Sequence, residues 1–168
     1  MTRLFTLTTT TVLAFGVAGV VCPVRAQSDR AGFEITPHHI GISVPDLEES
    51  IAWYEEMLGF EVVRLREREE ESQSSIALLQ RGNAWIELFE IPGAGPLPEY
   101  RRDPSADLRV HGTKHFSFQV EDALAVTEIL RAKGAEIAMG PVDNTRAIFV
   151  FIRDNSGNTF ELIEYKTD

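Results

Sequence analysis

From Pro37 to Tyr165 the apolar positions follow two rhythms, and the order of those rhythms occurs twice. After Pro37, Ile40, Ile42 and Val44 fall at every second position with His39, Gly41 and Ser43 between them, which predicts a half-buried strand within 35–44. Asp46 stands where a helix N-cap belongs. Leu47, Ile51, Tyr54 and Leu58 then recur at three- and four-residue steps before Gly59, the pattern of one amphipathic helix with a glycine stop. Stretches 61–68, 75–80 and 84–91 read as strands, the last two joined by the turn signal Arg81-Gly82-Asn83. The second pass repeats the order: a strand over 114–120, a helix capped by Asp122 and stopped at Gly134, and strands at 136–139, 147–152 and 159–165, with the turn-rich run 153–158 before the last. Each pass is β-α-β-β-β. The expected fold class is α+β, with two such modules in pseudo-twofold pairing, a cupped mixed sheet and helices outside.

The chemistry repeats with the rhythm. His39-Ile-Gly-Ile-Ser-Val44 matches His115-Phe-Ser-Phe-Gln-Val120, and Ile86-Glu-Leu-Phe-Glu90 matches Phe160-Glu-Leu-Ile-Glu164. His39 precedes Glu87 by 87 − 39 = 48 residues, and His115 precedes Glu161 by 161 − 115 = 46. Side chains two apart on a strand share a face, so the apolar residues that must cover each helix leave His39, Glu87, His115 and Glu161 on the helix-free face. A buried carboxylate without a partner costs several kcal/mol, so two such pairs in a cavity call for a cation. These four are the candidate metal ligands. His38 alternates towards the helix side and reads as structural, while His111 lies outside the strand as a candidate neighbour of the site.

Composition narrows the class. Residues 1–26 read as an export signal: Arg3 opens the segment, an apolar stretch runs to Val21, and Val24-Arg25-Ala26 suits a signal peptidase. Cys22 follows Val20-Val21, a poor context for a lipoprotein. The mature domain is then 27–168, with module one at about 34–91, a linker at 92–112 and module two at 113–166, in a periplasmic or secreted protein that no longer touches the membrane. Removal of Arg3 and Arg25 leaves 14 basic against 26 acidic residues, 14 − 26 = −12, which disfavours nucleic acid and anionic membranes as partners. The single cysteine lies inside the signal, so the mature protein has no disulfide and its metal ligands are imidazole and carboxylate alone.

The runs His39-Ile-Gly-Ile-Ser-Val-Pro-Asp46, Trp53-Tyr-Glu-Glu-Met-Leu-Gly-Phe60 and Asp154-Asn-Ser-Gly-Asn-Thr-Phe-Glu-Leu-Ile-Glu164 resemble the vicinal oxygen chelate superfamily, which includes glyoxalase I, methylmalonyl-CoA epimerase, extradiol dioxygenases and fosfomycin-resistance proteins. The resemblance implies paired βαβββ modules around one divalent ion, Ni, Co, Zn, Mn or Fe, held by His39, Glu87, His115 and Glu161. It implies proton transfer next to a carbonyl held by the metal, with Glu161 as the first candidate for the catalytic carboxylate and Glu87 as the second. The dioxygenases have nothing coordinating at the position of Glu87, so this residue favours a metal-dependent lyase, isomerase or epimerase acting on a small-molecule substrate. A non-haem Fe(II) dioxygenase, or a non-catalytic resistance protein that binds a small molecule, is the alternative. Trp85, Phe89, Ser117 and Gln119 share the candidate face, and Arg109 lies in the linker; these are the candidate substrate contacts. The modules pair either within one chain or across a homodimer, an arrangement the family shows both ways.

Overall fold

The computed structural model describes Phe33 and residues 35–167, so the export signal read from 1–26 lies outside the described residues. Residues Pro37–Asp168 form one unit that holds both modules. Module one runs β1 (Ile40–Val44), α1 (Leu47–Leu58), β2 (Glu61–Arg66), β3 (Ser75–Arg81) and β4 (Ala84–Glu90). Module two runs β5 (Phe116–Gln119), α3 (Ala123–Ala132), β6 (Glu136–Asp143), β7 (Ala147–Arg153) and β8 (Thr159–Tyr165). Between them lie a 3-10 turn, Glu99–Arg102, and a short helix α2, Pro104–Asp107. Among the described residues no helix is long and apolar enough to cross a membrane.

The two sheets are four-stranded and mixed, in the orders β1-β4-β3-β2 and β5-β8-β7-β6. The first strand of each module lies parallel to its last, with Gly41 opposite Glu87 and Ser117 opposite Glu161. The helix caps form as the sequence expects. Asp46 accepts from the Glu49 amide and Asp122 from the Ala125 amide, each at 2.8 Å. Gly59 at φ 64° closes α1 in the left-handed conformation that favours glycine. A second device repeats between modules: Glu90 accepts from the Leu47 amide at 3.0 Å and Glu164 from the Ala123 amide at 2.9 Å, so the last strand of each module satisfies a free donor in the first turn of its helix.

Several boundaries differ from the sequence reading; β2 ends at Arg66, and β5, expected over 114–120, spans Phe116–Gln119, so His115 precedes its ladder. β1 begins at Ile40, so His39 lies just before the ladder, and residues 35–39 are without strand structure. β6 continues through Gly140-Pro141 to Asp143, because a sheet edge needs no amide from proline and the register shifts there. The linker is partly ordered, with Asp103 capping α2 through the Ser105 and Ala106 amides.

One hydrophobic core serves both modules, joining Leu58, Phe60, Leu79 and Leu88 to Leu130, Val150, Phe160 and Leu162. Helix α1 is the bridge. Trp53 meets Phe160 edge-on at 6.1 Å, Phe60 meets Phe118 at 5.8 Å, and the Tyr54 hydroxyl donates to Asp154 Oδ2 at 2.9 Å. The helix-bearing faces therefore share an interior, and the helix-free faces point away from it.

Candidate metal centre

Each helix-free face carries one histidine and glutamate in contact. His39 Nε2 lies 3.1 Å from Glu87 Oε2, and His115 Nε2 lies 3.7 Å from Glu161 Oε2. The His39 and Glu87 side chains are 38% and 27% exposed, and those of His115 and Glu161 are 27% and 13% exposed, so both pairs are reachable and the second is the more enclosed. Their surroundings differ. Ser117 Oγ donates to Glu161 Oε2 at 2.5 Å. Opposite Glu87 stands Gly41, which offers no hydroxyl, and the Phe89 ring lies so close that a Cβ on Gly41 would meet it at 3.0 Å.

His38, expected to be structural, is exposed and belongs to this neighbourhood. Its ring stacks on Trp85 at 5.4 Å and its Nδ1 lies 2.7 Å from His39 Nδ1, one ring donating to the other. Trp85 and Phe89 are half-buried beside the first pair, Ser117 touches the second, and Gln119 is exposed two residues further along β5. Arg109 and His111 are exposed in the linker and line neither of the two cavities beside the pairs.

The donors suit a divalent ion, being imidazole nitrogen and carboxylate oxygen throughout. Two donors per face leave a coordination shell half built, however. Among the described residues no three of His, Cys, Asp and Glu converge, so the two pairs lie apart. A complete set of four requires the His39–Glu87 face of one module one to meet the His115–Glu161 face of a module two.

Two cavities adjoin these faces. A cleft of about 1310 Å³ follows β1 and is bounded by Pro92, Pro98, Arg101, His115 and Asn158. A smaller one of about 280 Å³ shares Lys114, His115 and Thr159 with it and is walled by Met139, Phe149 and Phe151. These three were not legible as site residues. β7 is apolar on both faces, so alternation along Ile148 to Ile152 carried no signal of which residues face the site.

Paired βαβββ modules, each with a His–Glu pair at the same register on its open face, define a glyoxalase-type architecture. The chain belongs to the Glyoxalase/Bleomycin resistance protein/Dioxygenase superfamily, whose family model matches residues 36–162. A putative lactoylglutathione lyase from Brassica oleracea is 31% identical over 131 residues, which are 75% of this chain and 43% of the plant protein. The chain thus spans less than half the length of that relative. A lactoylglutathione lyase from Haemophilus influenzae is 29% identical over 135 residues, covering 77% of this chain and 92% of that protein. The crystal structure of a glyoxalase family protein from Enterococcus faecalis superposes with a TM-score of 0.64 at 28% identity, over 77% of this chain and 97% of that one.

Proposed function

We propose that this protein is a divalent-metal-dependent lyase or isomerase that moves a proton on a small oxygenated substrate. In this reading its complete site forms between two copies, with His39 and Glu87 from one and His115 and Glu161 from the other. The observation that carries the reading is the matched pair: the same two donor types, at the same register, on the open face of both modules. A bound divalent ion supplies Lewis-acid polarisation of a substrate carbonyl, which acidifies the adjacent C–H. The Glu161 carboxylate then takes that proton and returns it, with Ser117 holding one of its oxygens; Glu87 is the second candidate. The lactoylglutathione lyases among the relatives suit this class of reaction. Export, read from residues 1–26, belongs to the same proposal and places the substrate outside the cytoplasm; fractionation of cells expressing the full chain tests it.

A mixed dimer tests the cross-chain site. One chain carries His39→Ala with Glu87→Ala, the other His115→Ala with Glu161→Ala, and two affinity tags isolate the mixed pair. Neither variant alone binds metal. The mixed dimer regains one intact site, so elemental analysis shows about one ion per pair. Absence of metal from the wild-type protein overturns the metal reading, and absence of recovery in the mixed pair overturns the cross-chain site.

A further inference from the structure

The two His–Glu pairs are braced at different members. In module two the brace holds the carboxylate, with Ser117 Oγ donating to Glu161 Oε2. Gly41 stands at the matching place in module one, so no hydroxyl faces Glu87 across the ladder. There the histidine is held instead: His38 Nδ1 lies 2.7 Å from His39 Nδ1. The His38 ring in turn stacks on Trp85, with centroids 5.4 Å apart and 25° between the planes. Lys114 and Thr159 occupy the positions that match His38 and Trp85 in the repeat, and Lys114 Nζ is turned to Asp107 of the linker at 3.3 Å. Neither the second imidazole nor its aromatic platform recurs in module two.

Neighbouring residues on a strand project to opposite faces, and His38 reaches His39 because the ladder begins only at Ile40. His39 thereby engages both ring nitrogens. Its Nε2 faces Glu87 Oε2 at 3.1 Å and its Nδ1 faces His38. A neutral imidazole carries one proton, so the lone pair on Nε2 that a metal ion needs places the proton on Nδ1. His38 Nδ1 is the acceptor in reach, with the proton of His38 on its own Nε2. In the opposite tautomer His39 Nε2 donates to Glu87, and the same contact reverses, His38 Nδ1 donating to His39. One contact serves both tautomers without a turn of the His39 ring.

We infer that His38 is a positioning residue for His39: it accepts from Nδ1–H, fixes the tautomer that leaves Nε2 open to a metal ion, and is itself held by Trp85. The role towards the metal rests on the metal reading; the hydrogen bond does not. A partner of this kind on a ligating histidine contributes about 10- to 100-fold in metal affinity.

Two substitutions separate the hydrogen bond from the stacking. His38→Phe keeps a ring against Trp85 and removes the acceptor, whereas His38→Asn removes the ring and keeps an acceptor close to the place of Nδ1. In calorimetric titration with zinc alone, His38→Phe is expected to weaken binding about 10- to 100-fold and His38→Asn to recover most of that loss, with the melting temperature of both unchanged. Equal affinity in wild type and His38→Phe, or a loss as large in His38→Asn as in His38→Phe, overturns the positioning role. The ring nitrogen resonances of protein carrying isotope-labelled histidine read the bond itself. In chelator-treated protein in mildly alkaline solution, one of the two facing nitrogens is expected to be protonated and the other bare, and zinc is expected to settle the His39 proton on Nδ1. Averaged tautomers at both residues before zinc is added overturn the hydrogen bond, whatever the metal does. A wild-type protein that shows the bond but binds no zinc overturns the metal reading, and the role of His38 towards the metal falls with it.

Discussion

Tyr54→Phe removes one oxygen from the contact that joins the modules, and its cost follows from the surroundings of that oxygen. The Tyr54 side chain is fully buried, and its hydroxyl donates to Asp154 Oδ2 at 2.9 Å. Burial and the neighbouring Asp154 push the hydroxyl well above its usual pKa, so it stays a donor across the working range. Asp154 also accepts from the Ser156 amide at 2.9 Å, the Asn158 amide at 2.8 Å and the Asn158 side-chain amide at 3.0 Å. A hydrogen bond to a charged group contributes about 1.5–3 kcal/mol. Since three donors remain on Asp154 and the ring packing is retained, the expected loss is about 2 kcal/mol near neutral pH.

The pH dependence carries a sign. Burial raises the Asp154 carboxyl above 3.8, opposed by its hydrogen bonds to Asn158, Tyr54 and Ser156. A carboxyl whose folded pKa is raised contributes stability that is fully present below its unfolded pKa and is lost as pH rises through the folded value. Removing the Tyr54 donor leaves burial less opposed, so the folded value rises further and the penalty is larger at neutral pH than near pH 4, roughly the unfolded pKa. Urea unfolding of wild type, Tyr54→Phe, Asp154→Asn and the double variant at both pH values measures this. A coupling of about 1 kcal/mol or more between the sites is expected at neutral pH. A loss below about 0.5 kcal/mol, within the range of ordinary surface substitutions, or a penalty independent of pH, would refute the assignment.

Three further outcomes are expected. Ser117→Ala removes the hydroxyl bonded to Glu161 and should lower metal affinity or turnover by about 10- to 100-fold, with Ser117→Thr restoring most of it; calorimetric metal titration gives the first quantity directly. Glu161→Gln should abolish turnover while most metal remains bound, and unchanged turnover with any accepted substrate would remove Glu161 from the role of base. Glu164→Ala frees the Ala123 amide at the start of α3 and should cost about 1 kcal/mol in thermal or urea unfolding, with no effect on metal stoichiometry.

What the chain discloses locally and what it withholds divide along the distance over which each interaction acts. Asp46, Gly59 and Asp122 mark helix ends because each acts within a few residues of itself, and the structure places all three in those roles. Alternation likewise put Glu87 and Glu161 on the open faces, where each meets its histidine. The walls of the smaller cavity stayed hidden for a different reason. Phe149 and Phe151 lie on a strand whose buried side is equally apolar, and Met139 precedes a Gly-Pro that reads as a break but sits on a sheet edge. Which face meets which was the least legible of all. It depends on Ser50, Trp53 and Tyr54 of α1, which the sequence showed only as a helix and whose partners Ser156, Phe160 and Asp154 lie in module two. Helix α1 joins the two helix-bearing faces into one core, and among the described residues the two His–Glu pairs do not converge, which is what the proposed cross-chain site is built on. The inter-module contact and the proposed cross-chain site are therefore linked: if α1 sets how the two His–Glu pairs are placed, Tyr54→Phe that still folds should also bind metal more weakly than wild type in a calorimetric titration, and an unchanged affinity would separate the two.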